Sequence, residues 1–92
     1  MKNFTDIMKQ AQDLQSKMTE IQSKMTEIEV KGSSAAGMCE ITMTGKGEVL
    51  KVRIDPSLVS QNDIHVMEDL ILAAINDAKS KADTKVREKM SD

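Results

Sequence analysis

Apolar residues recur along the first thirty positions at Phe4, Ile7, Ala11, Leu14, Met18, Ile21, Met25 and Ile28, with a 3-4-3-4-3-4-3 spacing. That rhythm is the a/d seam of a heptad repeat and predicts an amphipathic helix from about residue 4 to 28. Residues 15–21 and 22–28 write one heptad twice, Gln-Ser-Lys-Met-Thr-Glu-Ile. Asn3 and Asp6 have the spacing of a capping box, and no Gly or Pro interrupts the run. At ~1.5 Å per residue such a helix is roughly 37 Å long. A 92-residue domain cannot cover that length with its own core. Part of the seam is therefore expected to project or to pack on a second long helix, the alternative being a helix laid flat on a sheet.

The period then changes. Glu29-Val30-Lys31 predicts a short strand over about 29–32, and Gly32 to Gly37, rich in Ser and Ala, reads as a flexible turn. From Met38 the chain alternates, with Cys39, Ile41 and Met43 on one face and Glu40, Thr42 and Thr44 on the other. This is a strand over about 38–44. Thr44-Gly45-Lys46-Gly47-Glu48 suits a hairpin connection. A third strand over about 48–55 places Leu50, Val52 and Ile54 on one face and Val49, Lys51 and Arg53 on the other. Asp55-Pro56-Ser57 ends it, since Pro cannot donate to a ladder. Ser60 or Asn62 is expected to cap a second long helix over about 62–90, and Ser60 with Asp63 has capping-box spacing. Ile64, Met67, Leu70, Ile71, Ala74, Ile75 and Ala78 form its apolar stripe. Beyond Ala78 only Ala82, Val86 and Met90 remain apolar, so the front of the helix reads as buried and its tail as a charged, projecting arm.

The chain thus reads as one domain, residues 1–92, of α+β class: a small antiparallel sheet framed by two long helices. A two-fold dimer of such subunits would present paired arms around a cleft. Composition sharpens this in three places. Phe4 is the one aromatic residue and there are eight Met, so the core is aliphatic and its packing surfaces are adaptable. Cys39 stands alone, which rules out an intrachain disulfide and any need for an oxidising compartment. No apolar run approaches the ~7–15 residues of a signal-peptide core or the ~20 of a membrane span, and a cytoplasmic location without a membrane partner is the expectation.

Candidate chemistry is sparse. His65 is the only histidine and reads as a surface or cap residue, while Cys39 alternates with apolar neighbours and reads as a buried thiol. Gly45-Lys46-Gly47 lacks the frame of a phosphate-binding loop and lies between strands. Asp55, Asp63, Glu68, Asp69 and Asp77 show no calcium-loop spacing. No catalytic residue, metal site or cofactor is expected, and the chain reads as a binding protein, not an enzyme. With thirteen Lys and Arg against fifteen Asp and Glu, the net charge of −2 does not by itself point to nucleic acid. Candidate phosphate contacts are Lys9, Lys17 and Lys24 on the first helix and Lys79, Lys81, Lys85, Arg87 and Lys89 on the tail of the second. Residues 79–89 hold five basic and two acidic side chains, a local charge of +3. Scattered round their helices, these cations suit salt-dependent contact to phosphates more than base readout. No aromatic platform for single strands exists, because Phe4 belongs to the seam.

Several ordered segments together resemble the YbaB/EbfC family of bacterial nucleoid-associated proteins. They are Met8-Lys9-Gln10-Ala11-Gln12 with the Gln/Met-rich heptads, Glu29-Val30-Lys31-Gly32 with the loop ending at Gly37, and Ile41-Thr42-Met43-Thr44-Gly45. Most specific are Val52-Arg53-Ile54-Asp55-Pro56-Ser57-Leu58 and then Glu68-Asp69-Leu70-Ile71-Leu72-Ala73-Ala74-Ile75-Asn76-Asp77-Ala78. The resemblance implies an α-β-β-β-α subunit, a homodimer shaped like tongs, and binding of double-stranded DNA with low or variable sequence specificity. It implies a place in the nucleoid and effects on gene expression, with contacts from Lys9 and its neighbours and from the tail between Lys79 and Lys89. The family commonly has a glycine-rich start and a Pro/Gly-rich tail, and without them weaker DNA contact is expected here. The alternative function is a protein-interaction module whose projecting helices clasp a protein client.

Overall fold

The structure, a computed structural model, describes residues 3–59 and 63–91. Its order is α1 (Phe4–Glu27), β1 (Glu29–Ser34), a single 3-10 turn at Ala35–Gly37, β2 (Cys39–Thr44), β3 (Val49–Ile54), a one-turn α2 (Pro56–Val59) and α3 (Ile64–Met90). The strands form one antiparallel sheet in the order β1-β2-β3. This is the α-β-β-β-α arrangement, with two single turns added, at Ala35–Gly37 and Pro56–Val59. Asn3 caps α1 by accepting from the Asp6 amide at 2.9 Å. The cap of α3 is Asp63, which accepts from the Val66 amide at 3.2 Å, and not Ser60 or Asn62, which lie outside the described residues. Pro56 opens α2 at a first-turn position that needs no amide donor, and Asp55 accepts from the Ser57 amide at 2.9 Å.

The core is a single layer between one sheet face and α3. Cys39, Ile41, Met43, Leu58, Ala74, Ala78 and Ala82 are buried there, with Val30, Ile54, Leu70, Ile71 and Ile75 packed round them. Alanine at every fourth position lets the backbone of α3 lie close to the strands. The closest approach is at Gly32, where an added Cβ would stand 2.2 Å from the Ala78 nitrogen and 2.5 Å from the Ala74 oxygen. This contact accounts for a departure from the strand expected over about 29–32, which runs on through Ser33 and Ser34. These residues pair with β2 on one side and are held by α3 on the other: the Ser33 amide donates to Asp77 Oδ2 at 2.9 Å and the Ser34 hydroxyl to the Leu70 carbonyl at 2.6 Å. The turn itself is tight, with Ala35, Ala36 and Gly37 all at positive φ.

β3 also departs from simple alternation. A bulge after Thr42 pairs Met43 with Val49, so Leu50 is the extra residue and Val49 joins the row of Met43. The two sheet edges are unlike. Lys81 bridges Asp77 at 2.9 Å and donates to the Lys31 carbonyl at 3.2 Å, so α3 closes the outer edge of β1. Among the described residues no strand lies beside the outer edge of β3, and Val49, Leu50 and Val52 are each about half exposed. Open apolar edges of this kind are covered in most native proteins.

α1 buries none of its residues. Phe4 is 75% exposed and Leu14 62%, and only near the base do Met25 and Ile28 sink against the body. There the Gly45 amide donates to both the Met25 and Ile28 carbonyls, at 3.0 and 3.1 Å. The arm gives the molecule extents of 70 × 23 × 16 Å and a radius of gyration of 19.6 Å. A compact chain of this length has a radius of gyration of roughly 12 Å.

Candidate nucleic-acid interface

Placed on the helices, the eight candidate cations fall into three groups. Lys9, Lys17 and Lys24 lie on α1, and at about 100° per residue they share an arc of about 80° and are not scattered. Asp6, Asp13, Glu20 and Glu27 occupy the same arc. Read along the chain, the stripe alternates in sign at every step, from Asp6 to Glu27. Acid-before-Lys pairs at i,i+4 are the favourable helical orientation, and Lys24 meets Glu20 at 3.7 Å in this way. The stripe sums to −1, four acids against three lysines. The rest of α1 divides between the apolar seam and a neutral face of Gln, Ser and Thr, where the Thr19 and Thr26 hydroxyls bond back to the Gln15 and Gln22 carbonyls.

On α3, Asp77, Lys81, Lys85 and Lys89 form one i,i+4 row. The first two are spent on the fold. Asp77 accepts from the Ser33 amide and from Lys81, which hold its carboxyl below the usual aspartate range. Beyond the end of the sheet the same row continues with Lys85 and Lys89, which overhang the base of α1. Lys79 is exposed on another side of the helix, and Arg87, also exposed, lines a second hollow with Met25, Gly45, Asp83 and Val86. Lys24, Glu27, Ile28, Glu29, Lys85 and Lys89 line a cleft of about 560 Å³ between the two helices. This convergence of residues some sixty positions apart is not visible along the chain, because it depends on the fold bringing the base of α1 beside the α3 tail.

Other polar groups have local tasks. Thr44 is buried, and its hydroxyl accepts from the Lys46 and Glu48 amides at 3.2 and 3.3 Å, which shapes the hairpin. On the open sheet face Glu40 lies between Lys31 at 4.0 Å and Arg53 at 3.7 Å. His65 is 90% exposed beside Glu68 at 3.6 Å, and Cys39 is fully buried under α3. Among the described residues no helix is long and apolar enough to cross a membrane, and no cluster of His, Cys, Asp or Glu is placed to hold a metal ion.

Comparison with known proteins agrees with this architecture. A nucleoid-associated protein of Rhodospirillum rubrum is 54% identical over 92 residues, covering all of this chain and 86% of that protein. One of Paramagnetospirillum magneticum is 59% identical over 91 residues, covering 99% of this chain and 85% of its own. A crystal structure of an uncharacterized protein from Helicobacter pylori superposes with a TM-score of 0.79 at 20% identity, covering 99% of this chain and 95% of that one, and shows the same fold. The YbaB/EbfC DNA-binding family matches residues 1–92, from end to end. With its sequence, its element order and its relatives in agreement, the chain belongs to the YbaB/EbfC DNA-binding family.

Proposed function

We propose that this chain is a nucleoid-associated protein of the bacterial cytoplasm that binds duplex DNA as a homodimer, without catalysing a reaction. The carrying observation is the end-to-end match to a DNA-binding family, set on a chain whose α3 tail holds cations with no structural task. Lys85 and Lys89 on one side, with Lys79 and Arg87 elsewhere on the helix, offer phosphate contacts that are blind to base sequence. The α1 lysines rank lower, because each shares its stripe with acids one turn away. Lys81 ranks lowest, being engaged with Asp77 and β1.

The homodimer rests on two unpartnered apolar surfaces: the heptad seam of α1 and the open flank of β3. A closed two-fold assembly uses the same patch on both copies and covers both kinds of surface at once. The alternative, a clasp around a protein client, gains nothing from the names of the relatives and is not carried further.

The test is an electrophoretic mobility shift of a duplex across a salt series, with light scattering on the same sample. A dimer whose shift weakens steeply with salt fits phosphate-led binding. A stable dimer giving no shift at ~50 mM salt would sink the DNA reading.

A further inference from the structure

We propose that the cleft between the base of α1 and the tail of α3 is a single phosphate seat, in which Lys24, Lys85 and Lys89 together grip one backbone phosphodiester of the bound duplex. The proposal rests on the DNA-binding reading and adds to it a shared site in place of independent contacts.

Three observations support it. First, the three lysines come from two elements and line one cleft, with Lys85 and Lys89 one turn apart on α3 and Lys24 on α1. Second, their engagements are weak or lacking. Lys24 has the exposed pair with Glu20 at 3.7 Å, which is readily exchanged, and Lys85 and Lys89 are in no ion pair among the described residues although Glu27 and Glu29 line the same space. Third, the charges balance. Three lysines against two glutamates leave +1, which one phosphodiester, carrying a single negative charge, brings to zero.

The seat would also act on shape. α1 buries none of its own residues, and its base is fastened by the two bonds from Gly45 and by the apolar contacts of Met25 and Ile28. An anion held by lysines of both helices ties the arm to the body at that junction. Free phosphate offers the same chemistry as the backbone, and the experiment separates the two.

The experiment measures affinity for a fluorescein-labelled 20-base-pair duplex, over a salt series, for the wild type, Lys24→Gln, Lys85→Gln, Lys89→Gln and the triple variant. Circular dichroism verifies that each is folded. Each phosphate neutralised contributes about 0.9 to the slope of log K against log salt. A shared seat predicts that the triple variant loses about 0.9 if the seat of one subunit engages and about 1.8 if both do, with each single variant losing clearly less than the triple. Three separate contacts would instead remove at least about 2.7 in the triple and about 0.9 in each single, and that result overturns the seat. An unchanged triple variant overturns it as well. If the triple fails to fold, the single variants decide by the same figures. Exchange of chloride for inorganic phosphate at constant ionic strength is the remaining arm. Loss of duplex affinity in the wild type but not in the triple variant is competition for the seat and supports its occupation by the DNA backbone. Lysine-dependent phosphate binding that leaves duplex affinity unchanged would instead make free phosphate the occupant and overturn the assignment to DNA. A wild type that binds no duplex under any of these conditions would refute the DNA-binding reading itself, an outcome distinct from a failure of the seat.

Discussion

Gly32 is where the contact between sheet and helix is most exposed to a single change. Replacing it with Ala places a Cβ 2.2 Å from the Ala78 nitrogen and 2.5 Å from both the Ala78 Cα and the Ala74 oxygen. Ordinary carbon contacts lie near 3.5–4.0 Å, so the two backbones must separate by about 1 Å. A gap of that size forfeits roughly a quarter to a half of each dispersion contact across the layer. The layer comprises Cys39, Ile41 and Met43 facing Ala74, Ala78 and Ala82. Overpacking against movable side chains costs about 1–3 kcal/mol, and here the obstruction is helix backbone with no rotamer to change. The bonds from Ser33 and Ser34 to α3 lengthen too, at about 1 kcal/mol each. The expected loss is therefore about 3–5 kcal/mol, a large share of the ~5–15 kcal/mol of a typical domain. Urea unfolding followed by far-UV circular dichroism, at one protein concentration because assembly stabilises, measures it. With m of about 1–3 kcal/mol/M the midpoint falls by at least about 1 M. Gly37→Ala is the control: it meets nothing within 4 Å and suffers only from φ +90. A Gly32→Ala midpoint within about 0.2 M of wild type would refute close backbone packing as the organiser of this layer.

Three further outcomes are expected. Because folding lowers the pKa of Asp77 beneath its ordinary 3.8, the stability it confers is complete above the unfolded value and disappears as pH falls through the lowered one. Wild-type Tm should therefore drop more than that of Asp77→Asn between about pH 5 and about pH 3, and parallel curves would contradict this. Replacing Leu14, Met18 and Ile21 together by Ser should leave the sheet and α3 intact, since none of the three is buried in the subunit, while light scattering shows the dimer weakened. An unchanged dimer would mean that the seam is not part of the interface. Gly45→Ala puts a Cβ 2.7 Å from the Met25 carbonyl and 2.9 Å from Val86 Cγ2, so it should cost about 1–3 kcal/mol and loosen the base of α1, with urea unfolding and hydrogen exchange at residues 25–28 as the readouts.

Much of this fold is legible in the sequence, and the failures are instructive. The 3-4 rhythm from Phe4 to Ile28 and the alternation of Cys39, Ile41 and Met43 are local periodicities, and each emerged as the element it predicts. Ser33-Ser34 has poor strand propensity and reads as a turn in the sequence, whereas in the fold it pairs with β2 and is held by Asp77 and Leu70, more than thirty positions away. The bulge that moves Val49 into the row of Met43 is likewise a matter of register between strands. For the candidate interface, the basic character of the α3 tail is visible in composition. The division of labour along Asp77, Lys81, Lys85 and Lys89 is not, since it depends on where the sheet ends beneath the helix.

The junction at Gly45 and Ile28 also makes α1 a lever. Its 24 residues give a length of ~36 Å, so a swing of ~10° at the base carries the Phe4 end through ~6 Å. That travel is about half the ~12 Å width of a major groove. The reach and spacing of the arm tips are thus set by a handful of small contacts at the fulcrum, and on the proposed reading a change there alters which shapes of DNA the paired arms accept.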